Sequence, residues 1–397
     1  MSIKTNFQKD INSYPKISVL IPDGGNYDTL KVLRCLGQVP NVTSHVISQQ
    51  RWPITRLSRY CKKFYYYPEQ KNSDFLDSVR RLVIEQKIDV VLPVTMKATE
   101  ALSRNKKALS DIVKIPPIPK NKIFKIAQDK WAFHCFAESH KFPVPPTILV
   151  ADGQKIVADQ AKLNSIEYPA LLKPTTEMGG HGIVKVDSTS EFFCLADNKN
   201  VFKDGNKYIL QSYISGIDFC LGLICENGRI LAYTLQRNLI QSEDYFSYQK
   251  VMDFINNESI IKLGTQLAST MAWDGIAFID FRLDERDKTI KLIEVNPRLG
   301  RALLGSLSAG VNFPFIMCLA ALGIKYPVAQ RENTRYAHPS AYVHMLKYHL
   351  LGKQNPLKLG WHESGWRFLI NDPLPDVVEA IKHLNKIDIH IWKKKKN

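Results

Sequence analysis

Two strand-like segments joined by a charged turn constrain the fold of this chain more than any other feature. The first covers residues 277–283 and the second covers residues 290–298. Side chains alternate between the two faces of a strand, so Phe278, Asp280 and Arg282 share one face of the first segment. The pattern predicts a hairpin with one charge-bearing face.

The second segment presents its own set of side chains on one face: Ile290, Leu292, Glu294 and Asn296. A turn centred on Asp287 places Asp280 directly opposite Glu294, because both lie seven residues from that centre. Directly opposed Cβ atoms are about 5 Å apart. The hairpin therefore predicts two carboxylates and one amide oxygen, from Asp280, Glu294 and Asn296, in a single cluster.

Two carboxylates this close repel each other unless a cation lies between them. A hard divalent ion with oxygen ligands fits the cluster, and Mg²⁺ held by a few protein groups plus substrate phosphates is the usual form. Mn²⁺ is an alternative ion for the same ligands. Pro297 ends the strand, and Arg298 follows within reach of anything that the metal binds. The competing interpretation is a surface hairpin with scattered charge.

A glycine-rich loop lies between two strand-like segments at residues 170–186. Gly179, Gly180 and Gly182 allow backbone N–H groups to close around an anion without obstruction by Cβ atoms. No Gly-Lys-Ser/Thr motif follows, so this is not a Walker A loop. Lys173 ends the first strand, where a buried ammonium needs a partner such as a phosphate. The alternative is a tight hairpin whose lysine reaches solvent.

Residues 208–218 read as a strand that leaves its sheet near Ser212. Backbone amides at such an exit can pair with the edge of an adenine ring. Asp218, a few residues further on, can accept hydrogen bonds from ribose hydroxyls. This segment predicts a nucleotide site only in combination with the loop and the hairpin.

Residues 15–115 alternate strand-like and helix-like segments. The predicted strands are residues 16–21, 42–48 and 89–92, and the predicted helices are residues 29–36 and 75–86. Such alternation indicates a small parallel sheet with helices on its faces. Gly24-Gly25 follows the first strand without the full GxGxxG pattern, so it does not indicate an NAD site.

Proline-rich connectors separate this region from the rest of the chain. Residues 115–119 form one connector and residues 143–146 form another. Between them, residues 123–140 are predicted to form a single helix that contains Asp129 and Lys130.

The following part of the chain is predicted to form two further lobes. Residues 147–212 carry short strands and helices that suit a compact lid. Residues 213–325 predict two hairpins and two helices, and one hairpin turns at Asn227-Gly228, a strong hairpin signal. The role of the chain after residue 326 is not assigned by its pattern.

Composition narrows the class of protein. Apolar residues make up 45% of the chain, and the most apolar run, residues 313–324, is shorter than the about twenty residues that a membrane-spanning helix needs. The N-terminal residues lack the apolar segment of a signal peptide. We therefore expect a cytoplasmic protein. Seven cysteines without a CxxC pair predict reduced core residues, among them Cys220 and Cys225.

The net charge of +16 is unevenly distributed. Residues 1–120 hold 20 Lys and Arg against 10 Asp and Glu, residues 121–330 hold 22 against 22, and residues 331–397 hold 12 against 6. Basic ends can attract nucleic acid, an acidic partner or an anionic substrate. A solvated basic surface is the simpler interpretation, so a nucleic-acid partner is not expected.

The ordered set of motifs resembles the ATP-grasp superfamily. The matching pieces are Asp129-Lys130, the loop from Lys173 to Gly182, the segment from Gln211 to Asp218, Asp280, and Glu294-Val-Asn296-Pro-Arg298. The whole is similar to carbamoyl-phosphate-synthase-like, ATP-dependent carboxylate–amine ligases of unassigned substrate. The resemblance implies an α/β chain with α+β lobes, in which a Rossmann-like lobe precedes the ATP-grasp fold.

The resemblance also implies a division into lobes. Residues 1–118 would form the Rossmann-like lobe, residues 119–212 the lid, and residues 213–328 the lobe with the metal hairpin. Residues 329–397 would be an extension of unknown role. A homodimer is a further expectation.

The resemblance assigns roles to individual residues. Lys130 and Lys173 would contact ATP phosphates, and the loop at Gly179, Gly180 and Gly182 would close over them. The predicted nucleotide contacts are Gln211, the backbone of Ser212, Tyr213 and Ile214 for adenine, Asp218 for ribose and Arg237 for phosphate. The predicted metal ligands are Asp280, Glu294 and Asn296.

Arg298 would steady the transferred phosphoryl group, with Lys173 as the second catalytic residue. Two positions depart from the family pattern, since Gln211 and Asp218 stand where glutamate is commonest. The metal set is complete, which argues for an active enzyme.

The implied reaction joins a carboxylate to an amine through an acyl phosphate, with release of ADP and phosphate. A small-molecule kinase, a carboxylase and a nucleotide-regulated binding protein remain alternatives. The substrates would contact loops at residues 20–30, 240–250 and 299–312, where Arg301 could grip a carboxylate.

Overall fold

The computed structural model describes most of the chain. The described ranges are residues 14–68, 75–177, 179–198, 201–239, 250–300, 302–326, 334–350 and 359–382. Arg301 and residues 240–249, which belong to two of the predicted substrate loops, lie outside them.

The N-terminal region forms a four-stranded parallel sheet in the order β3-β2-β1-β4. Its elements are β1 (Ile17–Ile21), α1 (Tyr27–Leu36), β2 (Val42–Ser48), β3 (Lys63–Tyr66), α2 (Phe75–Gln86), β4 (Val90–Val91) and α3 (Met96–Leu109). The predicted strands and helices are confirmed, although β4 is shorter than expected, and α1 begins earlier because Asn26 caps it. Strand β3 and helix α3 were not predicted.

Two helices follow, where a single helix over residues 123–140 was predicted. They are α4 (Asn121–Gln128) and α5 (Lys130–Ser139). The single-helix prediction is wrong because Asp129 has extended backbone angles and its carboxylate caps α5 through the amide of Ala132. An aspartate at this position favours a helix start over helix continuation.

The lid is a five-stranded antiparallel sheet in the order β6-β5-β9-β7-β8. Its elements are β5 (Thr147–Asp152), β6 (Lys155–Ile156), α6 (Gln160–Asn164), β7 (Ala170–Pro174), β8 (Val184–Val186), α7 (Thr189–Ala196) and β9 (Lys207–Ser212). The lid has a core of its own, in which Phe192 and Leu210 are fully buried.

The largest sheet has six strands in the order β14-β13-β10-β11-β12-β15. Its strands are β10 (Gly216–Glu226), β11 (Arg229–Asn238), β12 (Val251–Phe254), β13 (Gly275–Asp284), β14 (Ile290–Asn296) and β15 (Thr334–Ala337). The helices of this part of the chain are α8 (Glu258–Thr270), α9 (Leu303–Ser308), α10 (Phe313–Ala321), α11 (Pro339–Leu350) and α12 (Trp366–Asn371).

Both predicted hairpins are present in this sheet. Asn227 and Gly228 have positive φ values of 50° and 76° at the β10–β11 turn, as the turn type that follows strand twist requires. Where two helices were predicted before residue 325, the described residues of this range form three, because the six-residue α9 precedes α10.

The six-stranded sheet is covered on both faces. One face packs against α4, α5 and α8, with Trp273 and Phe281 in the core. The other face shares a core with the N-terminal sheet and α1, and with α9 and α10. This shared core places the loop after β1 beside the end of β14.

The region after residue 328 joins the same body. Strand β15 pairs with β12, and residues 374–382 form a further helix after α12. The lobe boundaries at residues 118, 212 and 328 stay a prediction.

All seven cysteines are free, as predicted, but Cys135 and Cys194 are exposed and not in a core. Among the helices of the described ranges, none combines the length and the apolar content of a bilayer-spanning segment.

Candidate active site

The hairpin of β13 and β14 brings the three predicted metal ligands together. Asp280 lies directly opposite Glu294, as predicted. The amide Nδ2 of Asn296 donates to Asp280 Oδ2 at 3.1 Å and to Glu294 Oε1 at 3.0 Å. Two carboxylates and one amide therefore form a single contiguous polar cluster, which we call the carboxylate cluster.

The pairing of this hairpin differs from the predicted register near its turn. Phe281 pairs with Leu292, so Ile293 is an extra residue in β14. This bulge returns Leu292 to the core side with Val295. The prediction that Ile290 and Leu292 share a face with Glu294 is therefore wrong, while the positions of the two acidic residues are unaffected.

The two buried carboxylates of the cluster oppose each other's ionisation. Burial, followed by the charge of Glu294, raises the pKa of Asp280 to about 8. Burial opposes ionisation of Glu294 as well, but the charges of Lys130 and Lys173 hold its pKa below the usual value. A bound cation would remove the conflict, because it favours the ionised form of both carboxylates.

Two side chains of the lid sheet fix the position of Lys173 through a chain of hydrogen bonds. It lies on β7 with 7% exposure, and its Nζ donates to Gln211 Oε1 at 2.8 Å. Gln211 Nε2 donates in turn to Thr147 Oγ1 at 3.0 Å, which fixes the direction of the amide. Burial lowers the pKa of Lys173 to about 8. Gln211 therefore holds the ammonium of Lys173 in place.

Lys130 lies between the carboxylate cluster and the glycine loop. Its Nζ is 3.7 Å from Glu294 Oε2 and donates to the carbonyl of Glu177 at 2.6 Å. The base of the loop is fixed as well, because Thr175 Oγ1 donates to Asp129 Oδ2 at 2.9 Å. The Asp129-Lys130 motif therefore connects the lid to the metal hairpin.

The glycine loop has the backbone conformation that its sequence predicts. Gly179, Gly180 and Gly182 have φ values of 67°, 80° and 72°, a region that L side chains rarely adopt. Their backbone can therefore turn between β7 and β8 without a Cβ atom in the way.

The exit of β9 leaves one amide for a nucleotide. The amide of Ser212 donates to the carbonyl of Pro146, and that of Tyr213 donates to the carbonyl of Pro169, both at 2.9 Å. Within the described residues, only Ile214 of the three predicted positions keeps an amide without such a partner. Of the three backbone amides predicted to contact adenine, that of Ile214 is therefore the remaining candidate donor.

Arg282 was missed as a functional residue. It lies directly opposite Asp218, and its Nε is 3.5 Å from Asp218 Oδ1. Its Nη2 also donates to the hydroxyl of Tyr213 at 2.9 Å. The signal was present in the sequence, because alternation places Arg282 on the same face as Asp280.

A cavity of about 210 Å³ separates the lid from the six-stranded sheet. Its polar lining consists of Lys173, Gln211, Asp218, Asp280 and Arg282, and its apolar lining includes Leu171, Ile183, Phe219, Phe281 and Ile293. An adjoining cavity of about 20 Å³ is lined by Lys130, Glu177, Glu294 and Asn296. An apolar slot that ends in cations and carboxylates suits a nucleotide whose phosphates reach a metal.

The two arginines predicted to contact phosphate, Arg298 and Arg237, lie in different places relative to the carboxylate cluster. Arg298 follows β14, and its Nη1 is 3.8 Å from Asp28 Oδ2 in the N-terminal region. Arg237 lies opposite Phe219 and not Cys220, which puts it on the other face of the sheet from Asp280. Its Nη2 contacts Asp253 Oδ2 at 2.8 Å. The prediction that Arg237 contacts phosphate is therefore not supported by its position.

The donor set fits both implied ligands. Two carboxylates that cannot both ionise alone, an amide and a cavity of small volume suit a hard divalent ion. Buried Lys173 and nearby Lys130 supply the cations that a triphosphate needs.

A cavity between two antiparallel sheets, with a glycine loop on one side and the β13–β14 hairpin with its two carboxylates on the other, is the arrangement of an ATP-grasp domain. Residues 127–301 match the family model of the ATP-grasp domain. Residues 127–301 of this chain therefore form an ATP-grasp domain.

Among characterised proteins, the chain is similar to carbamoyl phosphate synthases. It is 23% identical over 248 residues to the carbamoyl-phosphate synthase of Methanobrevibacter smithii, covering 60% of this chain and 65% of that protein. It is 21% identical over 184 residues to the carbamoyl phosphate synthase large chain of Thermomicrobium roseum, covering 45% of this chain and 17% of that protein. The matches thus span less than two thirds of either relative.

Solved structures share the fold at low identity. N5-carboxyaminoimidazole synthetase from Staphylococcus aureus, complexed with ADP, superposes with a TM-score of 0.64 at 15% identity, covering 85% of this chain and 88% of that one. The biotin carboxylase domain dimer of Hydrogenobacter thermophilus 2-oxoglutarate carboxylase, with MgADP and bicarbonate, gives 0.61 at 18%, covering 80% and 73%. The L-amino acid ligase of Bacillus licheniformis gives 0.58 at 17%, covering 77% and 74%.

Proposed function

We propose that this protein is an ATP-dependent ligase that joins a carboxylate to an amine and releases ADP and phosphate. The observation that carries the proposal is the convergence of Asp280, Glu294 and Asn296 with Lys130 and Lys173 beside a cavity of about 210 Å³. Phosphoryl transfer depends mainly on positioning and charge neutralisation, which this set provides.

The lid and the six-stranded sheet would divide the binding of ATP between them. The apolar walls of the cavity would hold the adenine ring, with the amide of Ile214 at its edge and Asp218 at the ribose. Lys173 and Lys130 would contact the phosphates, and the loop at Gly179, Gly180 and Gly182 would close over them. Closure matters because an acyl phosphate hydrolyses when water reaches it.

Asp280, Glu294 and Asn296 would hold Mg²⁺. When bound there, the ion supplies positive charge that neutralises the phosphate oxygens. Oxygen ligands of this kind also accept Mn²⁺.

The reaction would proceed in two displacements at the mouth of this cleft. A carboxylate oxygen of the first substrate attacks the γ-phosphorus of ATP, and the bond to ADP breaks. The amine nitrogen of the second substrate then attacks the acyl carbon, loses a proton, and phosphate leaves with the C–O electron pair. Arg298 would steady the transferred phosphoryl group during both steps. Both substrates would be small molecules, such as an amino acid and a pathway intermediate.

The test is a screen of paired carboxylic acids and amines. The assay would follow ADP and phosphate release with Mg-ATP, and mass spectrometry would identify products. A ligase releases ADP in a manner that depends on both substrates and forms a new amide. ADP release with a carboxylate alone, at the full rate and with a stable phosphorylated product, would make the protein a kinase and overturn the proposal.

Carboxylation is the second candidate. It is favoured by the likeness of the fold to the biotin carboxylase domain and to N5-carboxyaminoimidazole synthetase. In that case bicarbonate would replace the organic carboxylate. Carbon-13 bicarbonate in the same screen separates the two reactions, since only a carboxylase transfers the label to its product.

A further inference from the structure

Arg298 is contacted from outside its own sheet by an acidic residue of the N-terminal region. Asp28 Oδ2 is 3.8 Å from Arg298 Nη1, and Asp28 Oδ1 accepts a hydrogen bond from Lys31 Nζ at 2.7 Å. Each oxygen of Asp28 therefore faces one cation. Arg298 itself is only 18% exposed, and its buried Nε has no partner among the described residues.

Asp28 is held in place by the start of helix α1. Its backbone amide donates to Asn26 Oδ1 at 2.7 Å, the capping contact of that helix. The preceding loop is fixed by Asp23, whose carboxylate accepts from the amide of Val94 at 2.8 Å and from Thr95 Oγ1 at 2.5 Å. These contacts bind the loop after β1 to the loop after β4.

Helix α1 is also held by the C-terminal segment. Arg34 is 2% exposed, and its Nε donates to Asp372 Oδ2 at 3.2 Å while its Nη2 donates to the Asp372 carbonyl at 2.9 Å. Arg34 also pairs with Asp376. Tyr27, the neighbour of Asp28, donates its hydroxyl proton to Asp376 Oδ1 at 2.9 Å.

Asp372 is fully engaged within the protein. Besides Arg34, it accepts from Ser58 Oγ and from the amide of Arg59, both at 2.8 Å. A buried carboxylate with three donors is a structural anchor, because nothing remains for a ligand to satisfy. The contacts thus run from Asp372 and Asp376 through α1 to Asp28, and from there to Arg298.

We propose that Asp28 is a positioning residue that sets the guanidinium of Arg298 toward the transferred phosphoryl group, and that Asp372 and Asp376 hold Asp28 at the required place. This inference rests on the proposed function, in which Arg298 contacts that group. An arginine on a loop has many rotamers, and an ion pair on one side of its guanidinium restricts them before the ligand arrives. The C-terminal extension thereby acquires a role in the active site without touching it.

The test uses a probe that requires no knowledge of the substrates. MgADP alone reports the nucleotide site, whereas MgADP with aluminium fluoride imitates the phosphoryl group in transfer. Asp28→Asn should bind MgADP with wild-type affinity but the aluminium fluoride complex about tenfold more weakly, since misplaced catalytic groups cost at least that much. Asp28→Glu should recover part of the loss. Calorimetry measures both affinities.

A double-mutant cycle assigns the effect to Arg298. Arg298→Ala should weaken the aluminium fluoride complex more than Asp28→Asn does. If Asp28 acts through Arg298, adding Asp28→Asn to Arg298→Ala changes the affinity little, whereas independent residues would give additive losses. Additive losses would overturn the proposal.

The C-terminal contacts are tested by Asp376→Asn and, should that variant fold poorly, by Tyr27→Phe. Each should weaken the aluminium fluoride complex in the same direction as Asp28→Asn, by less, with MgADP affinity unchanged. The matched control is Glu100→Gln, which removes an exposed ion pair with Arg104 on α3 of the same lobe and should change neither affinity.

The same measurements distinguish failure of the positioning role of Asp28 from failure of the proposed function. Wild-type affinity of Asp28→Asn for the aluminium fluoride complex would overturn the positioning role and leave the proposed function intact. Absence of MgADP binding by the wild-type protein would remove the proposed function, and the positioning role with it.

Discussion

Two groups of buried charged side chains in this molecule differ in how they are satisfied. In the carboxylate cluster, Asp280 and Glu294 face each other with one amide between them, and burial with like charge raises the pKa of Asp280. In the second group, which we call the arginine cluster, Arg34 lies between Asp372 and Asp376. In the first cluster two like charges face each other and Lys130 lies 3.7 Å from one of them, whereas in the second cluster an arginine lies between two carboxylates.

This difference in pairing gives a way to distinguish charged residues that bind a ligand from charged residues that stabilise the fold. Buried charges that complete one another within the chain stabilise a fold, or at least are costly to break singly. Buried like charges with incomplete partners are retained at a cost, which indicates a ligand. The following predictions test this contrast, from the largest expected effect to the smallest.

Glu294→Ala should abolish turnover while leaving the metal-free protein as stable as the wild type. We expect ADP formation to fall by about 1000-fold or more, because charge neutralisation dominates phosphoryl transfer. The free energy of unfolding without Mg²⁺ should change little, since the substitution removes both the repulsion on Asp280 and the attraction to Lys130. Rate assays and urea unfolding measure the two quantities, and Glu226→Ala, on an exposed strand end, is the control. Normal turnover would show that the metal assignment is wrong.

Arg34→Met, in contrast to Glu294→Ala, should destabilise the protein. Removing one member of a buried ion pair leaves uncompensated charge and costs about 3 to 5 kcal/mol. Urea unfolding in the absence of ligands measures the loss. Arg104→Met removes an exposed arginine and should stay within about 0.5 kcal/mol of the wild type. A similarly small effect of Arg34→Met would contradict the contrast between the clusters.

The metal-free protein should lose stability as the pH rises toward 8. The folded pKa of Asp280 is raised from 3.8 to about 8, so its stabilising contribution is complete below pH 3.8 and is lost as the pH rises through 8. The shift of Glu294 is downward, so its contribution changes only below its ordinary value of 4.5. Linkage limits the slope to about 1.4 kcal/mol per pH unit for one group, so about 2 kcal/mol should be lost between roughly pH 6 and 8.

Urea unfolding at several pH values, with a chelator and then with Mg-ATP, tests this dependence. Mg-ATP should flatten the profile, and Asp280→Asn should remove the part that Asp280 contributes. Asp23, whose pKa is raised to about 6 by burial, contributes the same sign at lower pH and remains in that variant. An Asp280→Asn profile identical to that of the wild type would remove Asp280 as the cause.

Lys173→Ala should weaken ATP binding about tenfold, the value of one charge-assisted contact of moderate strength. Burial lowers the pKa of Lys173 to about 8, so the loss should be largest below pH 8, where the wild-type ammonium is charged. Calorimetry with an ATP analogue measures the affinity. Lys207→Ala on the exposed part of the same sheet is the control, and equal affinities for the two variants would remove Lys173 from the site.

Much of the carboxylate cluster was predictable because it depends on local rules. Alternation along a strand and the length of one turn placed Asp280 opposite Glu294, and three glycines in four residues predicted a loop with positive φ. The same rules failed where one residue broke the period. The bulge at Ile293 moved Leu292 to the other face, and the extended backbone of Asp129 divided a predicted helix.

Contacts between distant parts of the chain were beyond these rules. Asp28 precedes Arg298 by 270 positions in the chain, and Arg34 pairs with Asp372, which lies 338 positions further on. Local rules also did not predict on which face of the sheet Arg237 lies. The resemblance assigned a phosphate contact to Arg237, at the end of the second hairpin strand, but the pairing of β10 with β11 places it on the other face of the sheet from Asp280.

The sequence by itself therefore determined the alternating N-terminal region, the glycine loop, the metal hairpin and the resemblance to ATP-grasp proteins, since each depends on residues close together in the chain. Only the tertiary structure decided which charged and polar side chains pair with one another: Lys173 with Gln211, Arg282 with Asp218, and Arg34 with Asp372. Coulomb and hydrogen-bond energies depend on separation in space and on burial, and neither quantity is a function of separation along the chain.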